Sequence, residues 1–163
     1  MSETDRLLQN ARAYAESFAG SDLPAAPSRR VAVLACMDAR LIPTRVLGLN
    51  EGEAHVLRNA GGVVTDDAIR SLALSQHLLG TKEILLLHHT ECGMLTVTDE
   101  EFATRMEEDA GQKPRWSAEA FSDLEQDVRD SIARLEASPF IANKDSIRGF
   151  VYDVKTGELR EVS

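Results

Sequence analysis

The chain of 163 residues has few cysteines, a deficit of basic charge and no long apolar run, and each shortage excludes something. With only Cys36 and Cys92, at most one disulfide can form, and a chain of this length buries enough core not to need staples. No apolar run approaches the about eighteen residues that a membrane span requires, so no membrane association is expected. Eighteen Lys and Arg stand against 27 Asp and Glu, and the net charge of −9 repels phosphate backbones, so nucleic acid is not an expected partner. The start, Met1-Ser2-Glu3-Thr4-Asp5, lacks the basic-then-apolar build of a secretory leader, which points to a reducing cytoplasm. Thiols in that compartment serve as inert packing groups, as a redox pair or as metal ligands.

At 43% hydrophobic and 28% charged, with no repeat or low-complexity tract, the chain reads as one domain spanning 1–163. Leu7, Leu8, Ala11, Tyr14, Ala15 and Phe18 recur at helical spacing, which predicts an N-terminal amphipathic helix at about 3–19, stopped by Gly20. Val31-Ala32-Val33-Leu34-Ala35-Cys36 is the continuous apolar run of a strand buried on both faces. A helical turn at 44–47, a strand at 54–59, a helix capped by Thr65 and closed by Gly80, and a strand at 83–89 follow. Residues 99–138 read as two helices broken near Lys113-Pro114, with Asp99 or Ser117 as start signals, anchored by Trp116 and Phe121, and with Glu107-Glu108-Asp109 on a solvated face. A strand at 147–154 turns through Lys155-Thr156-Gly157-Glu158 into a short last strand at 159–162. The expected fold is a three-layer α-β-α domain with a mostly parallel central sheet of about four strands plus a short antiparallel C-terminal edge strand.

In an open parallel sheet, ligands bind beyond the carboxyl ends of the strands, where the chain order reverses. Cys36 ends the first strand, with Asp38 and Arg40 just beyond it, and His89 and Cys92 end the third. These five residues converge if the two strands are neighbours. Two thiolates and an imidazole suit Zn²⁺, and the fourth ligand decides the role: water makes the site catalytic, a fourth protein group makes it structural. Asp38 could bind the metal or stand behind it, held by Arg40. Packing remains open for either cysteine alone. A redox pair fits poorly, because such dithiols normally use Cys-x-x-Cys.

Cys36-Met37-Asp38-Ala39-Arg40, Arg58-Asn59-Ala60-Gly61-Gly62 and His89-Thr90-Glu91-Cys92-Gly93, in this order and spacing, resemble the β-class carbonic anhydrases, in particular their short, compact branch. The resemblance spans about Arg29 to Met94 and fades to a general match of elements afterwards. It implies one zinc held by Cys36, His89 and Cys92, with Asp38 and Arg40 as a dyad: Asp38 either takes the fourth zinc position in a closed form or yields it to water when paired with Arg40. It implies reversible hydration of carbon dioxide to bicarbonate and a proton by zinc-bound hydroxide, and assembly as a homodimer or dimer of dimers. Two alternatives keep the site: hydrolysis of carbonyl sulfide or carbon disulfide, or a non-catalytic zinc module with Asp38 permanently bound. His88, Gly62 and Met94 depart from the common family pattern and are expected to alter the pocket lining. Gly61 and Gly62 could bring backbone groups close to substrate, and His55, His77 and His88 are shuttle candidates by residue type alone.

Overall fold

The computed structural model describes residues 1–163. Strands β1 (Val31–Cys36), β2 (Ala54–Asn59), β3 (Glu83–His89), β4 (Ile147–Tyr152) and β5 (Leu159–Val162) form one sheet in the order β2-β1-β3-β4-β5. The first four run parallel and β5 pairs antiparallel with β4, as the apolar runs and the closing hairpin turn led us to expect. β1 lies between β2 and β3, so the chain leaves it to one side and later returns on the other. The carboxyl ends of β1 and β3 therefore diverge at the switch point of the sheet, where an α/β fold opens a crevice.

Alternation along the strands divides the core into two layers. Ala32, Leu34, Ile84 and Leu86 are buried with Ala68, Leu72 and Leu135, under helices α3 (Asp66–Leu79) and α5 (Leu124–Ala137). Val33, Ala35 and Leu87 face the other way, onto Leu41 and the partly buried Val46 and Leu47 around the short helix α2 (Pro43–Val46). Each fully buried leucine contributes about 2 kcal/mol. Close approach of α5 to the sheet depends on Gly149 of β4, where a Cβ would lie 2.2 Å from Val128 Cγ1.

Local chemistry sets the helix ends. The Thr65 hydroxyl accepts from the Ala68 N–H, and Gly80 closes α3 in the left-handed conformation, both as the sequence indicates. Helix α4 (Asp99–Ala110) starts at Asp99 with Thr98 as its cap, in a reciprocal box with Glu101. Ser117 starts nothing: α5 is capped by Asp123, and the Ser117 hydroxyl instead donates to Asp99. Trp116 is no core anchor; it is 62% exposed and tilts against Phe102. β4 stops two residues short of expectation because the Asp153 carboxylate accepts from the Lys155 and Thr156 amides and begins the turn.

The N-terminal helix α1 (Glu3–Glu16) forms, with a Ser2/Asp5 capping box, but ends before Phe18 as the Ser17 N–H bonds back to the last turn. None of its residues is buried, and Leu7, Leu8, Tyr14 and Phe18 are each at least half exposed. No helix is long and apolar enough to cross a membrane.

Candidate metal centre

The neighbouring ends of β1 and β3 bring Cys36, His89 and Cys92 together, all buried, with their donor atoms within 4.8 Å of one another. Three features test whether this group fits a metal ion. The two sulfurs lie 3.9 Å apart, against about 3.8 Å for the edge of a tetrahedron with zinc–sulfur arms. His89 Nδ1 donates to the Thr90 carbonyl at 2.8 Å, which leaves Nε2 as the acceptor of the ring. That Nε2 is buried without a hydrogen-bond partner, and a buried lone pair so placed is costly unless something binds it. The donor set fits a borderline-soft divalent cation such as zinc.

The electrostatics agree. A hydrogen bond from the Cys92 thiol pulls Cys36 down to about 4, against burial and with help from His89. The same bond, together with burial, pushes Cys92 up. The lowering of Cys36 favours the thiolate form that a divalent cation binds. Burial lowers the His89 imidazole, but the adjoining Cys36 sulfur, the Thr90 carbonyl and Asp38 outweigh it and raise the pKa overall.

Asp38 stands beside this group, with Oδ2 3.7 Å from His89 Nε2. Arg40 holds it from the other side: Nε donates to Oδ1 at 3.0 Å, Nη2 to Oδ2 at 2.8 Å, and the Arg40 amide to Oδ1 at 2.8 Å. This bidentate grip keeps the carboxyl well below the usual carboxylate range. Arg40 is itself steadied by Glu91, through the backbone carbonyl at 3.1 Å and the carboxylate at 3.4 Å. Glu91 adopts a left-handed φ of 56°, unusual for a non-glycine residue, and its carboxylate also meets Lys155 from the turn before β5.

Gly61 and Gly62 form a 3₁₀ turn (Ala60–Gly62) behind the cysteines, both buried. Gly62 has φ 70°, and a Cβ there would lie 2.7 Å from the Cys36 amide nitrogen, so only glycine lets this turn close over the end of β1. His88 does not line the site. It points to the opposite face of the sheet from His89, fully buried, with Nε2 2.6 Å from Asp127 Oδ2 and its ring against Phe121. His55 meets Ser75 and His77 meets the Phe140 carbonyl, both away from the cysteines.

Sequence reasoning passed over Glu91 and gave Arg58 no role beyond its motif. Arg58 commits its guanidinium to the loop that carries Cys36 and Asp38. The one signal was a cationic residue at the end of a strand adjoining the site.

A mostly parallel sheet carrying a buried Cys-His-Cys donor set at its switch point is an α/β fold with a candidate metal site of the kind metalloenzymes use. The family model described as carbonic anhydrase matches residues 31–159. Over 163 residues the chain is 56% identical to beta-carbonic anhydrase 1 of Mycobacterium tuberculosis, covering 100% of this chain and 99% of that protein. It is 39% identical to a carbon disulfide hydrolase of Acidianus over 159 residues, 82% of this chain and 78% of that protein. The crystal structure of carbonic anhydrase from Streptococcus mutans superposes with a TM-score of 0.94 at 45% identity, covering 100% and 99% of the two chains. The chain belongs to the β-carbonic anhydrase family, and it is an enzyme of that family.

Proposed function

We propose that this chain hydrates carbon dioxide reversibly, using one zinc ion held by Cys36, His89 and Cys92. The supporting observation is the unpartnered buried Nε2 of His89, facing two sulfurs at tetrahedral spacing with Asp38 held beside them by Arg40. Zinc, when bound, supplies the Lewis acidity that makes water a competent nucleophile near neutral pH. The rest of the reaction falls to the protein. Arg40 fixes the Asp38 carboxylate beside the donor atoms through Nε and Nη2. From there Asp38 Oδ2 would accept a hydrogen bond from the attacking water and orient it toward carbon dioxide. Leu41, Leu87 and Met94 back the cysteines with apolar surface, which suits a small uncharged substrate. The turn at Gly61 and Gly62 completes this wall at the end of β1.

Stopped-flow hydration of carbon dioxide by zinc-loaded protein, run beside sulfide release from carbonyl sulfide and carbon disulfide, tests this reading. Hydration well above the buffer rate with little sulfide release is expected. Sulfide release as the dominant activity would reassign the substrate. Activity on none of the three, with zinc bound, would make the centre a structural one.

We also propose that the chain works as a homodimer in a reducing cytoplasm. The apolar stripe of α1 stays exposed in its own chain, with Leu7 and Leu8 both more than half exposed and Tyr14 held only at its hydroxyl, by Glu51. A groove of about 800 Å³ between α3 and α5, walled by Ile69, Ala73, Leu74 and Phe140, is open to receive it from a second copy. Light scattering of the full chain is expected to give twice the chain mass, and Leu7→Asp with Leu8→Asp to give monomer. A full-length chain that is monomeric at micromolar concentration would contradict the assembly.

A further inference from the structure

We infer that Arg58 is a positioning residue for the reaction: it clamps the main chain of the Cys36–Leu41 loop, and so sets where Asp38 stands relative to the metal ligands. This inference rests on the proposed activity, but its structural part can be tested without it.

Arg58 lies on β2 in register with Ala35, one position before the pair Cys36 and Asn59. The ladder between β1 and β2 continues one step beyond, with the Met37 amide donating to the Asn59 carbonyl at 2.8 Å, and then the chain turns away. From there Arg58 takes over. Its Nε and Nη2 donate to the Cys36 carbonyl at 3.0 and 2.7 Å, and Nη2 also reaches the Asp38 carbonyl at 2.8 Å and the Leu41 carbonyl at 2.7 Å. Three carbonyls of a six-residue stretch thus converge on one guanidinium, and within that stretch the Leu41 amide closes a turn onto the Asp38 carbonyl at 3.0 Å. Arg58 is an exposed residue of its strand, yet its Nε and Nη2 donate to main-chain carbonyls and none of its nitrogens pairs with a carboxylate.

The consequence for Asp38 follows from geometry. Its main chain is fixed through its own carbonyl, and its Oδ2 lies at once 2.8 Å from Arg40 Nη2 and 3.7 Å from His89 Nε2, so the position of the loop sets how far the carboxylate stands from the ligand atoms. The Asp38–Arg40 pair is local, two residues apart, but Arg40 is also tied to Glu91 beside Cys92, so loosening the loop shifts Asp38 relative to Cys36, His89 and Cys92 while Arg40 keeps an anchor outside the loop. A lysine in place of Arg58 retains the charge and three rotatable donors, but not the planar fork that spans the three carbonyls.

The test compares wild type, Arg58→Ala and Arg58→Lys by two readouts: amide hydrogen exchange in the metal-free protein, and hydration kinetics per bound zinc. Arg58→Ala is expected to keep its zinc and its circular dichroism, to speed exchange at Arg40 and Leu41 by about tenfold or more with β3 unchanged, and to lower kcat by about tenfold or more with KM altered far less. Arg58→Lys is expected to fall between the two on both readouts, and it carries the test if Arg58→Ala does not fold. Unchanged exchange in the 37–41 loop would overturn the clamp. Faster exchange with unchanged kcat per zinc would overturn the positioning role and leave Arg58 a structural residue. An inactive wild type would sink the proposed activity, while the exchange arm would still decide the clamp.

Discussion

Asp38 is gripped by three hydrogen bonds from Arg40 and stands 3.7 Å from the unpartnered Nε2 of His89, so Arg40 sets where the carboxylate sits against the candidate ligands. Removing the grip has a direction. Arg40→Ala removes the two guanidinium bonds and keeps the amide's, and the loosened carboxylate is then drawn to a bound zinc ion as the strongest positive charge in reach. Hydration is expected to fall by about 10–100-fold while metal analysis still finds one zinc per chain; full activity in this variant would break the dyad argument. The candidate ligand residues and their neighbours were legible in the sequence because coordination demands particular donor types, and these stood at strand ends where an α/β sheet opens. Arg58 and Glu91 were not, because they act on backbone carbonyls and on another side chain, and no motif marks which carbonyl a guanidinium will choose. The misplacement of His88 beside the pocket was avoidable. It adjoins His89 in one strand, and adjacent strand residues point to opposite faces.

The strands were legible almost to the residue, since a run such as Val31 to Cys36 can satisfy its apolar surface only inside a parallel sheet. Helix boundaries were less so. Ser117, Ser122 and Asp123 can all cap a helix, and the choice of Asp123 is made by the burial of Val128 and Leu135 against the sheet, a tertiary effect that no cap residue announces. Around α5 and the β4–β5 hairpin, ion pairs tie the elements by their charge: Arg160 to Glu125 at 2.6 Å and Arg148 to Glu161 at 2.5 Å. The bond from Arg160 lowers Glu125 and the bond from Arg148 lowers Glu161, each below the ordinary carboxylate value. A group held lower in the folded than in the unfolded state stabilises fully above the unfolded value, about 4.3 for glutamate, and its contribution is lost as pH falls through the folded value. The thermal midpoint is therefore expected to drop below about pH 4.5, and to drop less steeply in the Glu125→Gln, Glu161→Gln variant. Both pairs are solvent-exposed, so the difference between the two proteins should be small and should shrink in about 1 M salt. Identical acid profiles at low salt would deny these pairs any role.

As a whole molecule, the chain packs a main core on each face of one sheet: the one under α3 and α5 holds none of the candidate ligands, while Cys36 and Cys92 are two of the six buried members of the other. The metal-free protein is expected to fold. What a bound ion would add is a link between the ends of β1 and β3, where two sulfurs lie 3.9 Å apart and an imidazole nitrogen has no partner. The low cysteine count takes on meaning at this scale: both thiols belong to one centre, so a thiol oxidant should release zinc from it rather than damage the fold. The most direct measurement is a titration of metal-free protein with zinc, following thermal midpoint and carbon dioxide hydration on the same samples. Both should rise together and saturate at one zinc per chain, with a gain of about 10 °C in midpoint and no gain of either kind in Cys36→Ser. Hydration that stays at the buffer rate while the midpoint climbs would contradict the catalytic reading of this centre.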